Sequence, residues 1–423
     1  MSGEDKTYFV IDLKSFFASV ECVERGLDPM KTLLVVADPE RTEGTICLAV
    51  TPAMKALGVR NRCRVYEIPK SINYITAPPR MKLYIDYSAR IYSLYLKYFS
   101  ASDMHIYSID EVFIDATHYL SLYGKSPWEL ADFVMNEIYE KIGVRATCGI
   151  GTNMYLAKIA LDIMAKHSPS FIGYLDEEIY KEALWEHRPL TDFWRVGSGT
   201  AARLEKHLIY TMGDIARAPE DLIYKLFGID GELLIDHAWG REPTSIADIK
   251  AYSPQTSSIS SGQVLPRDYS YDEAKTIIKE MVDNLALSLI ERGVLVRCVM
   301  LDIGYSTRYR AENSHGSLTL PSPTSAASVL ISTFMELYEK IVDRSAKIRK
   351  INIAFCRLTR DVDIEYDLFT DIAALDRERR LQTTILSIKK RFGKNSVLKL
   401  LSFEPEATMR ERNSQIGGHK SGE

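Results

Sequence analysis

The chain predicts a multidomain α/β (α+β) protein, and three features of the sequence carry that prediction. Over the first 170 residues, short apolar runs of strand length alternate with segments of helical period. Residues 171–243 change to short helices punctuated by glycines at 197, 199, 213, 228, 231 and 240. From residue 258 the order strand, helix, strand, strand, helix, strand describes a split-βαβ module ending near 358. At 423 residues the chain also exceeds one core, since domains run to roughly 100–200 residues.

Taken in order, Tyr8–Leu13 (YFVIDL) predicts a buried strand. Ser15 then caps a helix that runs through Glu24 and stops at Gly26. Thr32–Ala37 is a second strand, and 38–85, with Pro52, Pro69, Pro78 and Pro79, is an inserted smaller lobe. His105–Ser108 and Val112–Ala116 form two strands that meet at Asp110-Glu111. Pro127–Ile142 is helical, Arg145–Ile150 is a strand, and Asn153 caps a helix through Lys166. The stretch 246–257 is the expected linker, because Ser, Pro and Thr crowd together from Ala251 onward. The module beyond it predicts strands at 258–264, 294–304, 316–320 and 348–357, with helices at 271–291 and 324–342. The tail from 359 holds one basic helix and a frayed end, GGHKSGE.

Composition excludes several classes. Hydrophobic residues at 46% and charged residues at 26% are globular values, so disordered and fibrous chains are out. The uncharged run Gly316–Met335 carries Pro321, Pro323 and many Ser and Thr, which excludes a membrane helix. Charge in MSGEDKTYFVID argues against a signal peptide, and six scattered cysteines without CxxC argue against zinc or a disulfide framework. A reduced, cytoplasmic setting is expected. The net charge of −4 hides an asymmetry: residues 341–360 carry +5 and 377–399 carry +7, which leaves −16 on the rest. An acidic body with a basic, polyanion-facing half fits that distribution, although solvated helix faces fit it equally well.

The acids are the chemical signal. Asp12 interrupts an apolar strand, and Asp110-Glu111 lies within HIYSIDEVFID. Neighbours on a flat strand face opposite ways, so one of that pair would turn toward the core unless a tight turn or a cation intervenes. Gathered together, three carboxylates repel unless divalent metal neutralises them. Hard oxygen donors suit Mg²⁺ or Mn²⁺, and two such ions serve phosphoryl transfer.

FVIDLKSFFASVE, SIDEVFID and CGIGTNMYLAKIALDIMAKHSP resemble, in order and spacing, three motifs of the Y-family translesion DNA polymerases. The likeness is greatest to the UmuC-like branch of Gram-positive bacteria and runs over residues 7–358. It implies a right-hand polymerase with a palm (1–37 and 86–170), small fingers (38–85) and a helix-hairpin-helix thumb (171–245). A βαββαβ little finger (258–358) and a tail (359–423) follow the linker.

The resemblance also implies roles. Asp12, Asp110 and Glu111, with the Leu13 carbonyl, would hold two Mg²⁺ ions. Phe17 would be the aromatic steric gate against a ribose hydroxyl, supported by Phe16. Lys55 and Lys166 would meet the incoming triphosphate as point charges. This chain departs from the family at Ser15 and Pro52, where aromatics are common, and at Arg62, where Gly is frequent. The helix from Lys158 to Lys166 is one residue longer than usual.

Gly197-Ser198-Gly199 resembles the phosphate-gripping turn of a helix-hairpin-helix, where bare backbone and a helix N-terminus approach duplex DNA. Arg267, Arg344, Lys347 and Arg349 suit further phosphate contacts. Asp363–Phe369 resembles a sliding-clamp-binding peptide with Leu368 and Phe369 as its apolar anchors, though a packed turn is the rival there. The expected function is error-prone, template-directed DNA synthesis across lesions without proofreading, within a damage (SOS) response. Expected partners are primer-template DNA, dNTPs, the clamp and a recombinase or accessory subunit. Another metal-dependent palm-fold nucleotidyl transferase or cyclase, or a non-catalytic DNA-binding scaffold, stands as the alternative.

Overall fold

The computed structural model describes residues 6–254, 257–309, 311–361 and 371–422. It divides into two compact units, Met1–Tyr252 with Lys420–Glu423, and Ser253–His419.

The first unit opens with β1 (Tyr8–Leu13) and α1 (Phe16–Val23), followed by β2 (Leu34–Val36), β3 (Ala49–Val50), α2 (Pro52–Ala56) and β4 (Ile75–Ala77). Next come α3 (Met81–Tyr95), β5 (Met104–Ile106), β6 (Glu111–Asp115), α4 (Thr117–Tyr123), α5 (Pro127–Ile142), β7 (Ala146–Gly151) and α6 (Met154–Ile159). Beyond α6 a π turn spans Ala160–Met164 and a 3₁₀ turn spans Ala165–His167, before β8 (Ile172–Leu175). Six short helices complete the unit: α7 (Glu177–Leu184), α8 (Ser198–Glu205), α9 (Met212–Arg217), α10 (Glu220–Phe227), α11 (Asp230–Ala238) and α12 (Ile246–Ala251).

A five-stranded sheet in the order β5-β6-β1-β7-β8 forms the body, with β1 antiparallel to both β6 and β7. Because side chains alternate along a strand, Phe9, Ile11 and Leu13 enter one core while Tyr8 and Val10 enter another. Both faces of β1 are covered, which is why YFVIDL is apolar except at Asp12. The first face packs on α3 and α5 through Tyr84, Ile91, Leu130 and Val134. The second packs on α6 and the turns beyond it through Met154, Ala157, Leu161 and Ala165. Gly149 and Gly151 permit that close approach: a methyl at either would collide with the backbone at Ala157.

The second unit holds β9 (Ile259–Tyr269), α13 (Tyr271–Arg292), β10 (Val294–Tyr305), β11 (Ser314–Thr324), α14 (Ala327–Ile341) and β12 (Ile348–Arg360). Its antiparallel sheet runs β11-β10-β12-β9 and buries Val299, Leu301, Ile351 and Phe355 against Ile277, Leu330 and Phe334 of α13 and α14. The prolines at 321 and 323 fall on β11, an edge strand, where a missing N–H breaks no ladder. Helix α15 (Ile372–Phe392) and α16 (Met409–Arg412) follow. Among the described residues no helix is long and apolar enough to cross a membrane.

Several expectations need correction. Strand β2 pairs with β3 and β4 in a separate three-stranded sheet, so the inserted lobe begins before residue 38. Helix α3 runs through position 85 without a break, so that lobe ends before the helix. The linker expected at 246–257 starts with α12, where Ser245 and Asp248 form a reciprocal cap and Ile246 is buried. Ser15 makes no side-chain cap; its backbone is left-handed, with φ at 49°. The end is not frayed either: Lys420 pairs with Asp38 and Glu40, and the Ser421 carbonyl accepts from Lys82 N–H.

Candidate active site

The site forms where β1 and β6 run out together. Asp12 and Glu111 are direct partners across these antiparallel strands, so their side chains leave the same face. Asp110 avoids the core because the strand begins only at Glu111; residues 108–110 form a bend. The Leu13 N–H donates to the Asp110 carbonyl at 3.0 Å, and Tyr107 and Ser108 N–H groups both donate to the Glu111 carbonyl. A tight turn is thus one of the two ways out that the sequence left open. The Ser108 hydroxyl donates to Asp110 at 2.7 Å.

Two lysines meet these acids. Lys158 Nζ lies 2.7 Å from Glu111 Oε1, with both side chains under 10% exposed. Lys166 Nζ lies 3.5 Å from Asp12 Oδ2. Asp162 sits between them, 2.7 Å from Lys166 and 3.1 Å from Lys158. Burial pushes the Asp12 carboxyl up; Lys166 opposes that shift and Asp110 adds to it. Burial likewise raises Glu111 against the pull of Lys158. Burial works against the Lys166 ammonium, but Asp12 and Asp162 outweigh it and hold its pKa above the usual lysine value.

The donor set fits a hard divalent cation. It is made of carboxylate oxygens, and their mutual repulsion is relieved by two positive groups in their midst. As the side chains stand, no group of three His, Cys, Asp or Glu among the described residues encloses an ion. Lys166 and Lys158 engage Asp12 and Glu111, and Ser108 engages Asp110.

Phe16 is buried, while Phe17 is half-buried and lies flat on Tyr84, ring centres 4.6 Å apart. Lys55 is exposed on α2, which Pro52 opens at the first helical position. Lys14 is half-buried, its ammonium 4.5 Å from the centre of the Phe171 ring. Desolvation lowers the pKa of both; Lys55 lowers that of Lys14 further, while Asp12 opposes the shift at each. Lys14, Lys55, Lys158 and Lys166 thus all share the field of Asp12. Arg62 takes φ of 62°, a left-handed backbone that glycine adopts without strain.

A π turn at Ala160–Met164 lies between Lys158 and Lys166. Reasoning from sequence missed Lys158, Asp162, Lys14 and Tyr84 as members of the site. A signal existed for two of them: 158, 162 and 166 are spaced four apart, as on one helical face.

Elsewhere in this unit, Gly197 precedes α8, and a side chain at Gly197 or Gly199 would meet open space. Ser198 is exposed at the first position of that helix. In the second unit three of the candidate basic residues have partners. Arg267 pairs with Glu273 at 2.8 Å and covers Tyr269, Arg349 lies 3.8 Å from Asp268, and Arg344 covers Tyr271. Lys347 is half-buried, its carbonyl bound by the Ser306 N–H. Leu368 and Phe369 lie outside the described residues.

Comparison with known proteins agrees over nearly the whole chain. UvrX of Bacillus subtilis (strain 168) is 31% identical over 420 residues, covering 98% of each chain. DNA polymerase IV 2 of the same organism is 31% identical over 426 residues, covering 98% of this chain and 99% of the relative. Among solved structures, a Y-family DNA polymerase chimera of Dbh and Dpo4 superposes with a TM-score of 0.64 at 20% identity. The match covers 84% of this chain and 99% of that one, and carries the fold. Residues 11–162 match the impB/mucB/samB family model and 256–368 match its C-terminal domain, and the chain belongs to that family.

Proposed function

We infer that the protein is a DNA-directed DNA polymerase of the Y-family, UmuC-like kind, extending a primer across damaged template. One observation carries this reading: Asp12 faces Glu111 across β1 and β6 at the mouth of the sheet, with Asp110 in the adjoining turn. The family relationship supports it, since relatives matched over almost their full length are named DNA polymerase IV.

In this reading Asp12, Asp110, Glu111 and the Leu13 carbonyl hold divalent cations, with Mg²⁺ as the expected ion and two as the expected number. Bound there, the cations would supply charge neutralisation for attack of the primer 3′-hydroxyl on the α-phosphate, with the α–β phosphoanhydride bond breaking and pyrophosphate leaving. The chain's own groups do the positioning. Lys14, Lys55 and Lys166 repel one another around Asp12, an arrangement that an incoming triphosphate relieves. The half-buried Phe17, backed by Tyr84, is placed to fill the space a ribose 2′-hydroxyl needs.

The palm is assigned to the five-stranded sheet with its helices, and the fingers to the β3-β2-β4 sheet with α2. The thumb takes the short helices around α8, and the little finger takes the second unit. The open backbone at Gly197 and Gly199 and the basic residues Arg267, Arg344, Lys347 and Arg349 are assigned to DNA phosphates, where they position the duplex without reading its sequence. Leu368 and Phe369 are assigned to a sliding clamp. Replacing both with Ala is then expected to abolish clamp-stimulated synthesis and spare basal synthesis; surviving stimulation contradicts it.

Primer extension on undamaged and abasic templates tests the whole reading. Incorporation that needs primer, template and Mg²⁺ is the expected result. Cyclisation of a nucleotide without primer, or duplex binding without incorporation, contradicts it.

A further inference from the structure

Asp162 stands between the two ammonium groups of the site. Its Oδ1 lies 2.7 Å from Lys166 Nζ and 3.3 Å from Lys158 Nζ, and its Oδ2 lies 3.1 Å from Lys158. The same ammonium groups contact the acids assigned to cations, Lys158 on Glu111 and Lys166 beside Asp12. Lys158 and Glu111 are 8% and 9% exposed, so water screens their attraction poorly. A lysine facing two carboxylates divides itself between them; take one away and it commits to the other.

The geometry points to Asp162 as a positioning residue: it holds Lys166 at 2.7 Å, off Asp12 at 3.5 Å, and keeps that carboxylate open to divalent cations. The inference rests on Asp12, Asp110 and Glu111 being the cation ligands. The backbone supports it, because Asp162 lies within the π turn that keeps positions 158, 162 and 166 over one face of the sheet. Its side chain is 24% exposed, more open than Lys158 and Glu111.

Mn²⁺ titration of the metal-free full chain, followed by the electron paramagnetic resonance of free Mn²⁺ without DNA or nucleotide, reads cation affinity apart from catalysis. Asp162→Asn is expected to weaken Mn²⁺ binding about tenfold, the usual scale for a group that orients a metal ligand. The Mg²⁺ concentration for half-maximal primer extension rises by the same factor. Unchanged Mn²⁺ affinity with lowered thermal stability marks a purely structural role and overturns the proposal. Loss of one negative charge weakens cation binding by itself, so the comparison is repeated in a Lys166→Met background. There the effect is expected to fall below half its size on a logarithmic scale; half or more overturns the proposal. Should Asp162→Asn fail to fold, Asp162→Ser takes its place in both comparisons. Asp110→Ala separates this inference from the site reading: Mn²⁺ binding untouched by that change contradicts the cation site itself, whatever Asp162 does.

Discussion

Phe17 and Tyr84 stack with ring planes 21° apart, and the Tyr84 hydroxyl donates to the buried carboxylate of Glu21. The proposed gate therefore rests on a rigid support. Phe17→Ala removes the ring, and the preference for dNTP over rNTP is expected to fall on the order of a hundredfold. The ratio of kcat/KM for dCTP and CTP measures it. An unchanged ratio refutes the gate.

Glu21 ties that support to pH. Burial raises its carboxyl, but hydrogen bonds from Arg80, Arg25 and Tyr84 outweigh burial and hold its pKa below the ordinary value of 4.5. A depressed folded pKa contributes stability above the unfolded value and loses it as pH falls through the folded one. Thermal melts are thus expected to drop as pH falls below 4.5. Glu21→Gln flattens that component and costs about 2 kcal/mol at neutral pH, since it leaves Arg80, itself part-exposed, facing an uncharged partner. A variant as stable as wild type at pH 7 contradicts this.

Gly149 sets how closely α6 lies on β7. With a methyl there, the Ala157 carbonyl must move, and Lys158 moves with it. Gly149→Ala is expected to destabilise the fold by about 3 kcal/mol, which denaturant titration reads directly. Wild-type stability contradicts the close packing.

DNA binding follows charge. Lys347→Ala is expected to weaken duplex binding equally across sequences, and to reduce the slope of log affinity against log salt by about 0.9. Fluorescence anisotropy over a salt series measures both; an unchanged slope removes Lys347 from the interface.

Much of this was legible in the sequence because it depends on period and punctuation. The order of elements from β9 to β12 follows from apolar spacing, and the Asn153 cap of α6 from its side-chain chemistry. The cost of burying a carboxylate left a turn or a cation at Asp110-Glu111, and the structure has the turn. What stayed hidden depends on contacts between distant residues. Strand β2 has the same composition whichever sheet it joins, and its register with Ile75–Ala77 decides. Tyr84 stands 67 positions after Phe17, and nothing local announces their stacking. The left-handed Ser15 and the π turn after α6 are likewise responses to tertiary packing that local propensity does not encode.

Single-nucleotide incorporation by Asp110→Ala, beside wild type on one primer-template with saturating Mg²⁺ and dNTP, probes the catalytic centre directly. Wild type is expected to extend the primer and the variant to fall by at least about a thousandfold, with duplex binding retained. Extension by the variant at the wild-type rate contradicts the assignment of Asp12, Asp110 and Glu111 to one shared catalytic centre.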